Sequence, residues 1–220
     1  MDWYFSYSQQ AINVVNQFGF MNASYLPHAV DHRQFYAIPK QPKSVDLCFV
    51  GKHSVHREKY ILAALELTKR VHIYGSRWVA PAFSKPALFS SIKGTECFGE
   101  KLNILYNSSK IVLSIIAKPQ GQNNLQSGIN MRPYEILASG SLLFSDKYEE
   151  LNSGLVYRKS IALFDTVDQF KATLAELLKN DGLIEVISLS GNQFIQGRFS
   201  YDEMAEKIIA KFQETQSART

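Results

Sequence analysis

The sequence predicts an α/β domain in which a parallel β-sheet is covered by helices on both faces. Short apolar runs alternate with segments in which apolar residues recur at helical spacing. The runs are apolar at nearly every position, which is typical of parallel strands buried on both sides. Gly51 and Gly75 follow two of these runs, and Gly140 ends a predicted helix. The alternation is typical of strand–helix–strand units.

The elements follow one another regularly from Asp46 onward. Uniformly apolar runs predict strands over 47–50, 71–74, 111–116, 141–145 and 161–164. Helical periodicity predicts helices over 59–68, 101–107, 133–139, 167–179, 182–194 and 201–212. The last residues, 213–220, are polar and are expected to fray.

The first 44 residues differ from the rest of the chain. A helix is predicted over 8–18 and a short strand over 23–26, whereas 27–42 contains three prolines and little apolar periodicity. We therefore expect a lead-in segment and interdomain linker over 1–44, a sheet-containing domain over 45–200, and a C-terminal helix with a polar tail over 201–220.

Composition limits the classes of function. Apolar residues make up 45% of the 220, enough for a sizeable core, and 24 basic against 20 acidic side chains give a net charge of +4. This charge is too small to suggest a nucleic-acid binder, although it allows a local anion site. Cys48 and Cys97 form neither a disulfide framework nor a zinc-ligand spacing. With no leader pattern and no apolar stretch long enough to span a membrane, we expect a soluble, cytoplasmic protein.

The loop after the first sheet strand is one candidate anion site. Gly51 allows close backbone approach, and Lys52, His53, His56 and Arg57 follow it directly before a helix. Ligands of parallel sheets bind beyond the carboxyl ends of the strands, where helix N-termini attract anions. The alternative is a solvated helix start with ordinary surface cations. The phosphate-binding P-loop motif is absent. Gly51 precedes Lys52, but the upstream glycine that the motif also requires is missing.

A second candidate site runs from 127 to 135. Gly128 and Asn130 suit a tight turn with free N–H groups, and Met131 leads into a helix on whose first turn Arg132 can reach an anion. Glu135, one turn further, suits two hydroxyl groups such as those of a ribose. The alternative is an Arg132–Glu135 surface pair, worth only about 0.2 to 0.5 kcal/mol.

Other motifs are weak or absent. Tyr74, Gly75 and Ser76 end the second sheet strand, where a glycine admits a ligand or serves a plain turn. The glycine-rich dinucleotide fingerprint, the serine-nucleophile elbow and the zinc-protease helix motif do not occur. No Asp-x-Asp pair is present to hold a divalent ion on a diphosphate, so we expect no metal and no cofactor.

Taken together, the landmarks resemble the C-terminal half of GT-B glycosyltransferases, and most closely the group similar to the spore-maturation protein CgeB. The similarity spans roughly residues 20 to 210. The landmarks in chain order are Tyr25 to Phe35, Leu47 to Gly51 with Arg57, Val71 to Gly75 with Trp78, Leu105 to Leu113, and Asn130 to Gly140. The last of these, Asn-x-Arg-x-x-Glu ahead of a glycine, is the most specific.

The resemblance implies a Rossmann-like domain with a site for a nucleoside-diphosphate sugar. It implies diphosphate contacts at Gly51, Arg57, Gly128, Asn130, Met131 and Arg132. It implies ribose contacts at Glu135 and a base near Tyr74, Gly75 and Ser76. No metal is expected, and no catalytic residue is assigned, because the base of an inverting enzyme of this kind usually comes from the other half.

The chain departs from the family pattern in two ways. Many retaining GT-B enzymes carry two glutamates separated by seven residues, and Ser127 stands where the first would be. GT-B enzymes also use two Rossmann-like domains, of which this chain holds about one, so an acceptor-binding domain or partner is missing. The expected function is therefore the donor half of a glycosyltransferase. The alternatives are a non-catalytic nucleotide-binding module and an interaction module with the same half-fold.

Overall fold

The structure is a computed structural model that describes residues 3–116, 130–147 and 159–217. Its strands are β1 (Tyr4–Ser6), β2 (Ala23–Tyr25), β3 (Val45–Val50), β4 (Val71–Tyr74), β5 (Ile92–Gly94), β6 (Ser109–Ser114), β7 (Leu142–Asp146) and β8 (Ala162–Phe164). Its helices are α1 (Gln9–Gln17), α2 (Val55–Leu67), α3 (Val79–Ala82), α4 (Pro86–Ser91), α5 (Gly99–Asn107), α6 (Arg132–Ala138), α7 (Val167–Leu178), α8 (Asp181–Ile195) and α9 (Tyr201–Ser217).

The main sheet has six parallel strands in the order β5-β4-β3-β6-β7-β8. The chain starts at the centre with β3, moves outward through β4 to β5, and returns to β6 on the other side of β3. This is the order of the dinucleotide-binding α/β fold, with a topological switch point between β3 and β6. The predicted fold class, a Rossmann-like parallel sheet with helices on both faces, is confirmed.

Apolar side chains cover both faces of the sheet because successive residues of a strand point to opposite sides. Leu47 and Phe49 of β3 face one core, which α2 and α7 cover. Cys48 and Val50 face the other, which α5 and α6 cover. Burial on both faces explains why the strands appear in the sequence as nearly continuous apolar runs. It also leaves polar residues mainly at the ends of the strands, next to the loops.

The N-terminal segment forms a small unit of its own. Strands β1 and β2 pair in parallel, and α1 connects them, with the Ser8 hydroxyl accepting a hydrogen bond from the Ala11 N–H at its start. A single bridge joins Val30 to Ser200. The helix and the second strand were predicted, but β1 was not, because three half-buried residues carry too little apolar pattern. The domain boundaries at 44 and 200 stay a prediction.

Several predicted elements have bounds that differ by a few residues from those observed. Helix α2 begins at Val55 and not at residue 59, because the Ser54 hydroxyl caps it by accepting from the Arg57 N–H at 3.3 Å. Strand β6 ends at Ser114, because the Ile116 N–H leaves the ladder and donates to Asp146. Helix α9 continues to Ser217, so the expectation of fraying over 213–217 is wrong.

The sequence did not predict β5, α3 or α4. Strand β5 is only three residues long, lies at the edge of the sheet, and pairs with β4 through an irregular register. The two helices have four and six residues, which is too short for helical periodicity to appear. In the described parts of the chain, no helix has the length and apolar character needed to cross a membrane.

Candidate functional site

The candidate site lies at the carboxyl ends of β3 and β6, where the strand order reverses. Helices leave the sheet in opposite directions at this point, so the loops after the two strands diverge and leave a crevice between them. Gly51 follows β3, and Ile115 follows β6. The loops after β3 and β4 and the start of α6 lie around this crevice.

Gly51 provides space in the crevice and does not provide a free amide. Its N–H donates to the Tyr74 carbonyl at 2.8 Å, and its carbonyl accepts from Trp78 Nε1 at 2.7 Å. A Cβ added at Gly51 would lie 3.0 Å from Phe49 Cζ and 3.6 Å from Arg132 Nη1. Glycine therefore leaves room here for the guanidinium of Arg132.

The predicted base-proximal residues follow β4 and lie beside Gly51. The φ angle of Gly75 is +149°, and a Cβ there would meet the Gly51 carbonyl oxygen at 2.0 Å. The absence of a side chain at Gly75 thus lets two loop backbones pack together. Tyr74 is half-buried against Gly94, whereas Ser76 is exposed and its carbonyl accepts from the His53 N–H at 2.9 Å. Contact of these three residues with a base stays a prediction.

Arg57 is buried, and its guanidinium binds backbone carbonyl groups. Its Nε and Nη2 donate to the Ile115 carbonyl at 3.1 and 2.9 Å, and Nη1 donates to the Lys52 carbonyl at 2.8 Å. Its Cζ lies 5.6 Å from the centroid of the Phe49 ring. Both predicted arginines therefore border the same crevice, but three donors of Arg57 are already in use. Its predicted diphosphate contact stays a prediction.

Arg132 begins α6 and points toward Gly51. Its Nε is buried and has no hydrogen-bond partner among the described residues. A buried guanidinium donor without a partner is costly, since such groups are nearly always paired in folded proteins. The group is thus placed to donate to an acceptor that enters the crevice. This is the property expected of a side chain that binds an anion.

The residues before α6 cap the helix. Asn130 is exposed, and its Oδ1 accepts from the Arg132 N–H at 3.0 Å, which occupies the first amide of the helix. Pro133 has no N–H, and the Tyr134 and Glu135 amides both donate to the Met131 carbonyl at 3.1 Å. The amides of 132–135 are therefore not free for an anion. Gly128 and Ser127 lie outside the described residues.

Glu135 lies one helical turn beyond Arg132 and is half-buried. Among the described residues, no side chain or amide donates a hydrogen bond to its carboxylate. Burial raises the pKa of Glu135, and the positive charge of Arg132 limits the rise. A partly desolvated carboxylate with unused acceptors can bind hydroxyl groups that replace its lost water.

Sequence reasoning did not assign a role to Tyr106 of α5. The residue is fully buried, and its hydroxyl has no hydrogen bond of good geometry among the described residues. Burial raises the pKa of Tyr106, while the nearby Arg132 opposes the rise and Glu135 adds to it. The Tyr106 side chain therefore lies near Arg132 and Glu135. Its position between Leu105 and Asn107 in an apolar helix indicated burial but no function.

A second cluster that the sequence did not predict supports the loop after β3. His53 Nε2 lies 2.6 Å from Glu58 Oε2, and Lys85 Nζ donates to the other oxygen of Glu58. Burial alone would raise the pKa of Glu58, but the hydrogen bonds from Lys85 and His53 outweigh it and lower the pKa. The His53 ring also packs edge-on to the Trp78 ring at 4.9 Å. This cluster holds the loop to α4 and not to the crevice.

The described residues include no group of three or more His, Cys, Asp or Glu side chains placed to hold a metal ion. The charged groups that border the crevice include the guanidinium groups of Arg57 and Arg132 and the carboxylate of Glu135. Such a set binds an anionic group beside hydroxyl groups through charge-assisted hydrogen bonds.

Comparisons with solved structures show the same fold in glycosyltransferases. Sucrose-phosphate synthase from Thermosynechococcus elongatus superposes with a TM-score of 0.73 at 10% identity, over 97% of this chain and 58% of that protein. Anabaena HepE, in complex with UDP and glucose, gives 0.74 at 10% identity, over 97% and 63%. This chain therefore spans about three fifths of the length of these two proteins.

A third similar structure is the C-terminal domain of a glycosyl transferase group 1 family protein from Francisella tularensis. It gives a TM-score of 0.62 at 15% identity, over 78% of this chain and 99% of that one. At these identities the likeness establishes the fold: a GT-B C-terminal, Rossmann-like domain. No curated protein sequence matches the chain. Residues 57–210 match the model of a family described as glycosyl transferase-like. The match covers more than half of the chain and contains Arg57, Arg132 and Glu135, so this chain belongs to the glycosyl transferase-like family.

Proposed function

We propose that this chain is the donor-binding half of a glycosyltransferase, which binds a nucleoside-diphosphate sugar and presents it to an acceptor. The observation that carries the proposal is the buried Nε of Arg132, which lacks a partner among the described residues and lies beside Gly51 at the switch point. Family membership supports the reaction class, and the complex of HepE with UDP and glucose supports the ligand class.

We assign the diphosphate contact to Arg132 and propose Asn130, Met131 and Gly128 as further contacts. Arg132 can donate from Nε and both terminal nitrogens to two phosphate oxygens at once. As the bond between sugar and diphosphate breaks, negative charge grows on the departing diphosphate. A guanidinium already in place stabilises that charge without reorganising, which lowers the barrier.

We assign the ribose hydroxyl groups to Glu135 and the base to the edge of the crevice formed by Tyr74, Gly75 and Ser76. Glu135 lies one turn, about 5 Å along the helix axis, from Arg132, which is comparable to the separation of a ribose and its diphosphate. The Asn130 to Gly140 motif, which contains both side chains, supports a CgeB-like subgroup within the family. The acceptor half is supplied by another domain or partner.

Calorimetric titration with the diphosphates of uridine, guanosine, adenosine and thymidine tests the proposal. We expect the protein to bind one of them, and Arg132→Met to weaken that binding about 100-fold through the loss of two charge-assisted hydrogen bonds. Arg33→Met is the matched control, because it removes the same charge from a side chain that is 93% exposed. Equal affinity of the Arg132 variant and the native protein would contradict the assignment.

Three further measurements separate the parts of the proposal. A 2′,3′-dideoxy analogue should bind more weakly than the nucleotide itself to the native protein. The difference should be smaller in Glu135→Gln, because a neutral amide accepts hydrogen bonds from hydroxyl groups less strongly than a carboxylate. Transfer from a nucleotide sugar, by the chain alone or with an acceptor-binding partner, distinguishes a transferase from a binding module. Persistence of transfer in EDTA tests the proposal that no metal is required.

A further inference from the structure

Arg57 joins two loops that border the proposed donor site. Ile115 follows β6 and Lys52 follows β3, so the two carbonyl groups that Arg57 binds belong to neighbouring strands on either side of the switch point. The guanidinium is planar and offers donors in two directions, which allows one side chain to bridge both loops. Its contacts of 2.8 to 3.1 Å are within the normal range for such bonds.

The other side of the loop after β3 is held without Arg57. Trp78 Nε1 donates to the Gly51 carbonyl, and the His53 N–H donates to the Ser76 carbonyl. These bonds fix the loop to the segment after β4. The corresponding bridge toward β6 is made by the guanidinium of Arg57.

The position of this loop determines the shape of the crevice beside Arg132. A Cβ at Gly51 would lie only 3.6 Å from Arg132 Nη1, so a shift of the loop by about 1 Å would change the space open to a ligand. The Phe49 ring borders Gly51 on one side and the Arg57 guanidinium on the other. Movement of Arg57 is thereby transmitted to Gly51 through packed atoms.

We propose that Arg57 is a positioning residue that locks the loop after β3 to the end of β6 and thereby keeps the crevice open at Arg132. It acts through the Lys52 and Ile115 carbonyl groups and not by contact with the diphosphate. This proposal rests on the proposed function for its ligand, but its structural part concerns the protein without ligand.

The variant Arg57→Lys tests the proposal because it keeps the positive charge but loses the planar set of donors with which the guanidinium bridges the two loops. The amides of His53 and Ile116 report on the two loops, since they donate to the Ser76 carbonyl and to Asp146 Oδ1. Without ligand, we expect hydrogen exchange at both amides to be about tenfold faster in Arg57→Lys than in the native protein. The nucleoside diphosphate that the native protein binds should bind about tenfold more weakly to the variant.

Arg132→Lys is the comparison variant. It should weaken nucleotide binding while exchange at His53 and Ile116 stays as in the native protein, because Arg132 does not bridge these loops. Arg57→Met should behave as Arg57→Lys, and if it does not fold, the lysine variant alone decides the question.

Two results would overturn the positioning role: native exchange rates at both amides in Arg57→Lys, or native nucleotide affinity in that variant. A direct contact between Arg57 and the diphosphate would instead give native exchange rates together with weaker nucleotide binding, as expected of Arg132→Lys. Failure of the native protein to bind any of the four diphosphates would contradict the proposed function. The exchange rates in the absence of ligand would still show whether Arg57 holds the loops.

Discussion

Replacement of Gly75 by alanine tests how closely the loops after β3 and β4 are packed. The added Cβ would lie 2.0 Å from the Gly51 carbonyl oxygen and 2.5 Å from its carbon, far inside van der Waals contact, and both are backbone atoms. The φ angle of +149° adds strain of about 1 to 3 kcal/mol for a residue with a side chain. Overpacking adds about 1 to 3 kcal/mol. The expected loss of unfolding free energy is therefore about 2 to 6 kcal/mol.

Gly197→Ala is the matched control, because Gly197 also has a positive φ, +67°, but no atom lies within 4 Å of its added Cβ. It should cost about 1 to 2 kcal/mol, from backbone strain alone. Urea unfolding followed by circular dichroism measures the free-energy loss of both variants, and thermal unfolding should show Tm lowered by about 4 to 24 °C in Gly75→Ala. Nucleotide binding should weaken only in Gly75→Ala, because Gly51 borders the crevice. Equal destabilisation by the two substitutions would refute the argument from close packing.

The remaining predictions concern ionised side chains. Burial raises the pKa of Glu135, so the folded protein loses stability as the pH rises through that pKa and the carboxyl group ionises. In urea unfolding without ligand, Glu135→Gln should therefore be more stable than the native protein at pH 7. The difference should vanish near pH 4, where the carboxyl group is protonated. A less stable Glu135→Gln at pH 7 would contradict this. Burial would raise the pKa of Asp46, but hydrogen bonds from Arg70 and Thr68 outweigh burial and lower the pKa. The stability that Asp46 contributes is therefore present above the pKa of the unfolded state. It is lost as the pH falls through the pKa of the folded state. Asp46→Asn should cost about 1 to 2 kcal/mol at pH 7 and progressively less as the pH falls below the pKa of the unfolded carboxyl, whereas a pH-independent cost would show that the charge is not involved.

Strands buried on both faces were predictable because each had to be apolar at every position. The runs over 47–50, 71–74 and 161–164 lie within or match β3, β4 and β8 to within a few residues. The short strand β5 and the short helices α3 and α4 were not predictable, because their stability comes from neighbours. Strand β5, for example, exists through its pairing with β4.

The candidate site was predicted in part. Glycine after β3, an arginine at the start of α6 and a glutamate one turn later are local patterns, and the structure places Arg132 beside Gly51. The binding roles of these residues stay predictions. The partners of Arg57 were not predictable, because Ile115 is 58 residues away in sequence and contributes a carbonyl group that every residue type has. Tyr106 was missed for a similar reason: its proximity to Arg132 depends on how α5 packs on the sheet.

The sequence by itself determined the alternation of strands and helices, the positions of the loops and the charged groups they carry, because these depend on side-chain periodicity along a short stretch of chain. Only the tertiary structure decided which charged group is hydrogen-bonded within the protein and which has a donor available to a ligand. Arg57 and Arg132 are the same residue type near helix starts, yet one binds carbonyl groups of two loops and the other keeps a buried donor without a partner among the described residues. The difference arises because hydrogen-bond partners are set by contacts between segments that are distant in sequence. Every residue has a backbone carbonyl group, so the sequence does not show which of these groups accepts a hydrogen bond.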